Sequence, residues 1–391
     1  MSKVLALLSG KGGSGKTTLA LSIASMLSNC CLKVLLVDCD LSTNGATYFY
    51  EGKLSEKTNE LGSFYKIFIN NDDIDKLVKI DEYMDFMPSI VKITKANSES
   101  YQYNEQDLKR IKSIDEKLRK NYDVIIYDCQ AGYTDILKLI LPYVDVNLVV
   151  MEADAISSAS IRSFYLKIGD LLNEKKIYQV FNKATDEEYE IYSKISGGTV
   201  FTNIETVMFD WKIRKAFSIA QIPDMESTSA GYGEQIYNIC RVLFNEEIIQ
   251  KKLKKYEIII KLNKNQEQER LLRKKIDEQN EYRHKNKNKM IKTMYTLIVP
   301  MVMALLLMIF MLLIDKTFLY KDMGNFIAML FSVMIAAVSM CASIIILNDI
   351  TKEKRTRAKE VNMDIKELNQ VLAEKEILKK QFSETEKLND K

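Results

Sequence analysis

The segment Gly10-Lys11-Gly12-Gly13-Ser14-Gly15-Lys16-Thr17-Thr18 constrains this chain more than any other. It follows an apolar run, Val4–Leu8, that reads as a strand, and it opens a helical stretch, Thr17–Leu27. Strand, glycine loop and helix in that order make a phosphate cradle. Gly12, Gly13, Ser14 and Gly15 offer backbone N–H groups that can curl around phosphate oxygens, and the helix N-terminus adds partial positive charge. Lys16 is expected against the β- and γ-phosphates, the Thr17 hydroxyl on Mg²⁺, and Thr18 near the α-phosphate. The apolar start, Met1 to Gly13, is too short for a signal peptide and reads as the first strand running into this loop.

What surrounds the loop sets the fold class. Val4–Leu8, Lys33–Asp38, Met84–Met87, Val124–Asp128, Asn147–Met151 and Ile177–Phe181 read as strands, several of them apolar throughout. Strands that are apolar on both faces and alternate with helical stretches predict an α/β fold, a mostly parallel twisted sheet with helices on both faces. An apolar content of 47% excludes wholesale disorder. With 56 basic against 53 acidic residues, net charge gives no sign of nucleic acid binding. One histidine, His284, excludes a His-based triad or a multi-His metal site. The six cysteines, Cys30, Cys31, Cys39, Cys129, Cys240 and Cys341, lack zinc-type spacing and read as reduced core thiols of a cytosolic chain.

Lys11 is not needed for a local phosphate cradle. With it, the loop resembles the deviant Walker A motif of the ParA/MinD superfamily of ATPases. That resemblance implies ATP and Mg²⁺ as ligands and a nucleotide-sandwich dimer, in which Lys11 reaches the partner's phosphates as an arginine finger would. Further segments follow the family in order. Val34–Asp40 resembles its second strand and D-x-D, which implies that Asp38 supports Mg²⁺ and that Asp40 positions the attacking water. Asn44 resembles the asparagine that follows. Met84–Ser89 resembles the family's next strand. Tyr122–Cys129 resembles Walker B, which implies that Asp128 holds Mg²⁺ through water. Gln130-Ala131-Gly132 resembles the switch segment, with Gln130 in place of proline. Phe181-Asn182-Lys183 and Ile222-Pro223-Asp224 resemble the adenine-reading segments, which implies base contacts from Asn182 and Pro223. The likeness covers residues 1–245.

The composition changes after that. Residues 246–296 are charged, with a stripe at Ile249, Leu253, Tyr256 and Ile260 that lapses near Asn263 and returns at Leu271, Leu272 and Ile276. Leu297–Ile314 carries no charge and as a helix spans roughly 27 Å; Phe326–Leu347 carries none and spans roughly 33 Å. These are expected to be two transmembrane helices joined by a short outer loop, 315–325. Basic residues flank both runs, Arg283 to Lys292 before the first and Lys352 to Lys359 after the second. They place both termini in the cytoplasm of a multi-pass protein of the cell membrane. The tail, 348–391, carries a second stripe at Val361, Ile365, Leu368 and Leu372. The two flanking helices could pair with each other or with another chain.

The reading that follows is a membrane-anchored ATPase acting as a homodimer, or a higher homo-oligomer, on a protein partner the sequence does not name. A scaffold whose ATP site only gates assembly is the alternative. DNA binding is not favoured, because Asp224 to Thr228 is acidic or neutral and only Lys212, Arg214 and Lys215 form a basic patch. A protein-tyrosine kinase fits less well, since such kinases place the hairpin first and end in a tyrosine cluster. Here the hairpin comes last, and Asn348 to Lys391 contains no tyrosine.

Overall fold

The computed structural model describes residues 2–54, 61–69, 74, 76–90, 106–172, 176–194, 201–222, 230–314 and 323–389. It divides into two compact units, Met1–Asn263 with Lys379–Lys391, and Lys264–Leu378.

Among the described residues the first unit holds an eight-stranded sheet. The strands are β1 (Lys3–Leu8), β2 (Val34–Asp38), β3 (Val78–Lys79), β4 (Met84–Met87), β5 (Val124–Asp128), β6 (Val146–Glu152), β7 (Lys176–Ala184) and β8 (Thr202–Met208). Their order is β3-β4-β2-β5-β1-β6-β7-β8, and every pairing is parallel except β3 with β4. The period-2 alternation of β1 sends Leu5 and Leu7 into one core cluster and Val4, Ala6 and Leu8 into the other. One cluster takes Leu19, Ile23 and Leu27 of α1 (Lys16–Asn29) and Ile236 and Cys240 of α9 (Ala230–Leu243). The other takes Ile111 and Leu118 of α4 (Gln106–Asn121), Leu137 of α5 (Asp135–Ile140) and Phe164 of α6 (Ala155–Ile168). The short helices α2 (Gly45–Phe49), α3 (Glu51–Leu54), α7 (Asp186–Lys194) and α8 (Trp211–Ser218) fall between these in chain order. Helices therefore cover both faces, and each fully buried Leu or Ile contributes about 1.5–3 kcal/mol.

Two strands escaped the sequence reading. β3 is two residues long. β8 lies at the sheet edge and reads Thr-Asn-Ile-Glu-Thr-Val-Met, so its polar residues hide the apolar run that marks the central strands.

The stripe at Ile249, Leu253, Tyr256 and Ile260 belongs to α10 (Glu247–Ile314) but forms no free coiled coil. All four side chains are buried in the cluster that holds Cys240 and Phe244. The first unit accordingly runs to Asn263, past the change of composition near residue 246. Apolar residues facing a protein core and facing a partner helix have the same spacing, so sequence could not separate the two.

In the second unit the later part of α10 runs antiparallel to α11 (Met323–Asn389). Gln268 donates to Glu367 at 3.0 Å, Gln279 to Asp364 at 3.3 Å and the Tyr282 hydroxyl to Glu353 at 3.1 Å. Lys375 pairs with Glu269 at 2.8 Å. The flanking helices thus pair within one chain. Their buried seam includes Leu272, Val361 and Val371, whereas Leu271 and Ile365, expected in the stripes, are exposed. A heptad seam passes through Val361, Asp364, Leu368 and Val371, and the polar Asp364 disguises it.

Among the described residues one helical segment, Leu330–Thr385, has the length and an apolar window (mean hydropathy 2.6, none of it buried) to cross a membrane. A second apolar stretch, Met290–Met303, is shorter than a crossing. Phe310, Phe331, Val338 and Ile345 are all more than half exposed. Residues 315–322 of the expected outer loop lie outside the described residues, and Met323–Asn325 already belong to α11. Of the thiols expected in the core, Cys31 is half-buried and Cys341 is exposed; all six are free.

Candidate nucleotide-binding site

The loop between β1 and α1 sits at the C-terminal edge of the parallel sheet, where strand ends and helix N-termini converge. Gly13 (φ 82°) and Gly15 (φ 90°) are left-handed, a conformation that costs other residues strain. A side chain at Gly15 would meet the Asn182 amide nitrogen at 2.2 Å, and one at Gly10 would meet the Ser160 backbone of α6 at 2.7 Å. A Cβ at Gly12 would meet nothing within 4 Å, so this part of the loop faces open space. Lys16 is buried at the first turn of α1, with Thr17 and Thr18 half-buried after it. The buried Ser14 hydroxyl has no hydrogen-bond partner.

β2 and β5 are adjacent and in register, so Asp38 stands opposite Asp128. Both carboxylates are buried. Asp38 accepts from the Asp40 N–H at 2.9 Å, the Thr47 N–H at 2.8 Å and the Thr47 hydroxyl at 2.7 Å. Burial, and then the neighbouring Asp128, push Asp38 up to about 7 despite those bonds. Burial also raises Asp128, against the pull of Lys16 and a hydrogen bond from Thr17, to about 6. One oxygen of Asp128, Oδ1, is buried without a partner. An orphaned carboxylate oxygen beside a threonine hydroxyl and a second buried carboxylate suits a hard divalent cation. Among the described residues no three His, Cys, Asp or Glu cluster as a metal cage. Magnesium at a phosphate site needs none, because phosphate oxygens and water fill most of its octahedron.

Asp40 accepts four hydrogen bonds, two from Ser42 at 3.0 and 2.8 Å and two from Thr43 at 2.9 and 2.5 Å. Burial alone would raise its carboxyl, but the Thr43 and Ser42 donors outweigh that and hold it below the usual range. It is anionic at neutral pH and half-exposed at the mouth of the site. Asn44 caps α2 (Gly45–Phe49) in the left-handed region, and its buried side-chain oxygen accepts from Ser89 at 2.6 Å. Asn44 is thus tied back to the end of β4 through Ser89, which also contacts Thr47. In the switch segment, the Gly132 N–H donates to Ser9 at 2.8 Å with a positive φ of 76°.

Lys11 does not fold into its own cradle. Its ammonium lies 2.9 Å from Glu152 and 3.3 Å from Asp154, about a third exposed. The hydrogen bond that it donates to Glu152 holds it above the usual lysine range. Burial tends to raise Glu152, yet Lys11 and Lys183 together hold it below the usual range. Lys183 bridges Glu152 at 3.0 Å and the Gly13 carbonyl. Asp154 also caps α6, accepting from the Ser157 N–H at 2.7 Å. Sequence reading missed Glu152 and Asp154, and took Lys183 only as part of the adenine-reading segment. The available signal was topological: acids directly after the strand beside β1 fall at the loop's rim.

Asn182 is buried on β7, and its amide donates to the Ser14 carbonyl at 2.8 Å. One amide N–H of Asn182 is thus engaged by the phosphate loop, which leaves its second N–H and its side-chain oxygen for a base edge. Pro223, the other expected base contact, lies outside the described residues.

The AAA domain family matches residues 2–181. The sporulation initiation inhibitor protein Soj of Bacillus subtilis is 30% identical over 131 residues, 33% of this chain and 50% of Soj. The chain thus spans about half the length of the curated relatives it matches first. A plasmid partition protein of Borrelia burgdorferi B31 solved with AMPPNP aligns at a TM-score of 0.53 and 23% identity, over 62% of this chain and 98% of that one. The MinC:MinD cell division protein complex of Aquifex aeolicus aligns at a TM-score of 0.51 and 18% identity, over 63% of this chain and 97% of that one. The two structural likenesses concern the fold. These likenesses give the sheet-bearing part of this chain the fold of the partition and MinD proteins, and its phosphate loop and Asp38–Asp128 pair lie within the stretch that the AAA domain family matches.

Proposed function

We propose that this protein is a membrane-anchored ATPase whose ATP-bound state pairs two copies face to face and whose hydrolysis releases them. Such a cycle acts as a switch for positioning or assembling a complex at the membrane. The observation that carries the reading is the place of Lys11, held at the rim by Glu152 and Asp154 while Lys16 alone lies buried under the loop. A rim ammonium is available to a second subunit's phosphates, where developing negative charge is stabilised by a fixed cation.

Within one subunit the loop amides and Lys16 bind the phosphates of ATP, the substrate. Thr17, Asp38 and Asp128 would hold Mg²⁺, which neutralises phosphate charge when bound. Asp40, anionic and fixed by Ser42 and Thr43, orients a water for attack; Asn44, itself fixed by Ser89, supports that segment. Catalysis of this kind rests on positioning and electrostatics, because phosphoryl transfer asks little covalent chemistry of the protein. Two apolar helices, with both termini in the cytoplasm, would keep the switch at the membrane throughout the cycle.

Phosphate release and sedimentation by the full-length protein in detergent test the reading. Wild type with Mg·ATP should dimerise and turn over. Asp40→Ala should dimerise without turnover, and Lys11→Ala should bind ATP without doing either. Turnover by a strictly monomeric wild type would contradict the proposal. A static assembly gate would dimerise without releasing phosphate.

A further inference from the structure

In the second unit a groove of about 360 Å³ opens between α10 and α11 where the charged helices meet the apolar runs. Its floor is a stacked triad. The Arg357 guanidinium lies 3.8 Å from the centre of the Tyr282 ring, the Tyr282 hydroxyl donates to Glu353 at 3.1 Å, and Arg357 pairs with Glu353 at 3.1 Å. Glu353 thereby answers the charge of Arg357. Lys287 and Lys354 line the same groove and form no ion pair among the described residues, so it carries two uncompensated ammonium groups.

Met290 and Ile350 form the other end of this groove, and both also line a narrow, almost wholly apolar slot that continues between Leu297, Ile298, Ile346 and Leu347. The joined grooves are therefore cationic at one end and apolar at the other. Lys287 lies three residues before Met290 and Lys354 four after Ile350, roughly 4.5 and 6 Å of helix, and both lie outside the uncharged runs Leu297–Ile314 and Phe326–Leu347.

We propose that this groove binds one anionic phospholipid, its phosphate between Lys287 and Lys354 over the Tyr282–Arg357 stack, its acyl chain lying over the apolar surface that begins at Met290 and Ile350. The proposal rests on the reading that these helices enter a bilayer. Two cations supply the charge complement of a phosphate, and the aromatic ring takes the interfacial position that amphipathic side chains favour. The shared chemistry with a free phosphate ion is the cation pair; the apolar surface selects the lipid.

The test uses the full-length protein purified in detergent. Native mass spectrometry compares retention of phosphatidylglycerol with phosphatidylcholine, with and without excess inorganic phosphate. Wild type should retain phosphatidylglycerol at least fivefold better, and inorganic phosphate should not displace it. The double variant Lys287→Ala/Lys354→Ala should lose that preference. Lys285→Ala/Lys352→Ala, equal in charge on the same segments but outside the groove, should keep it. Equal retention of both lipids by wild type, equal loss in both double variants, or displacement by inorganic phosphate would each overturn the proposal, as would crosslinking that found a second copy of the chain seated in the groove. Alkaline carbonate extraction of native membranes separates the two layers of inference. Release of the protein without detergent sinks the membrane reading, whereas retention together with no lipid preference sinks only the groove.

Discussion

Lys11 and Glu152 are joined by a 2.9 Å ion pair across the rim of the phosphate loop. The pair is partly solvated, so it adds about 0–1 kcal/mol to stability. Lys11→Ala should accordingly leave the thermal midpoint within about 2–3 °C of wild type and ATP affinity within a few-fold, while lowering hydrolysis by about 100-fold or more. Differential scanning fluorimetry beside a phosphate-release assay checks both halves. A large loss of ATP affinity would place Lys11 in the cradle of its own subunit.

The buried Asp38–Asp128 pair gives a pH dependence with a definite sign. Both groups sit above the value of an unfolded aspartate, at about 7 and about 6. The native state therefore binds more protons than the unfolded chain between about pH 4 and 7, and stability falls as pH rises through that window. Asp40, Glu152 and Asp154 are shifted the other way and lose their contribution only as the pH falls toward about 4. Without Mg²⁺ the midpoint should fall between pH 5 and 7. Asp128→Asn should flatten that slope and abolish the extra stabilisation by Mg·ATP over ATP with chelator. A slope unchanged in the variant would contradict this assignment.

Asn182 holds the Ser14 carbonyl from behind, and Gly15 leaves room for its amide. Asn182→Ala should cost about 1–2 kcal/mol and weaken nucleotide binding by loosening the loop. Gly15→Ala should abolish binding outright, since it adds backbone strain to a collision. Urea unfolding and fluorescent-nucleotide titration distinguish the two effects. An Asn182→Ala protein with wild-type stability and reduced affinity for adenine nucleotides alone would show that Asn182 acts on the base and not on the loop.

Arg119 ties three segments together, pairing with Asp115 and Asp145 at 2.8 Å each and donating to the Tyr143 carbonyl at 2.6 Å. Asp145 in turn accepts from the Val4 N–H at the start of β1. Arg119→Ala should destabilise by about 2–3 kcal/mol with little change in ATP affinity once folded, because the clamp lies at the opposite strand ends from the loop. Urea unfolding with nucleotide titration at low temperature measures both.

Tyr256 tests where the sheet-bearing unit ends. It is 1% exposed in the cluster with Cys240 and Phe244. Tyr256→Ala should destabilise the sheet-bearing unit by about 3 kcal/mol or more. A chain cut after residue 245 should be insoluble, whereas one cut after Asn263 should remain folded.

Much of the site was legible in the sequence, because a phosphate loop is written in consecutive residues and its chemistry lies in the backbone. Asp38 and Asp128 were reached through the resemblance of the strands that they end to those of the ParA/MinD superfamily. Glu152 and Asp154 were not, and Lys183 was taken only as part of the adenine-reading segment. They meet Lys11 and Gly13 only because β6 and β7 follow β1 in the sheet, an order no local pattern states. The fold's centre was readable from Val/Ile/Leu runs, while edge strand β8 was not, since half of it faces solvent. The start of α10 misled because a stripe seated in a core and a stripe seated on a helix obey the same period. In α11 the opposite occurred: Ile365 drew attention by its apolarity, while polar Asp364 occupies the seam and takes a bond from Gln279.

Sedimentation of the full-length protein in detergent, with Mg²⁺ and a non-hydrolysable ATP analogue, bears most directly on the paired-subunit switch. Wild type and Asp40→Ala should shift from monomer to dimer, and Lys11→Ala should not, although Lys11→Ala still binds the analogue. A Lys11→Ala protein that dimerised as readily as wild type would contradict that switch.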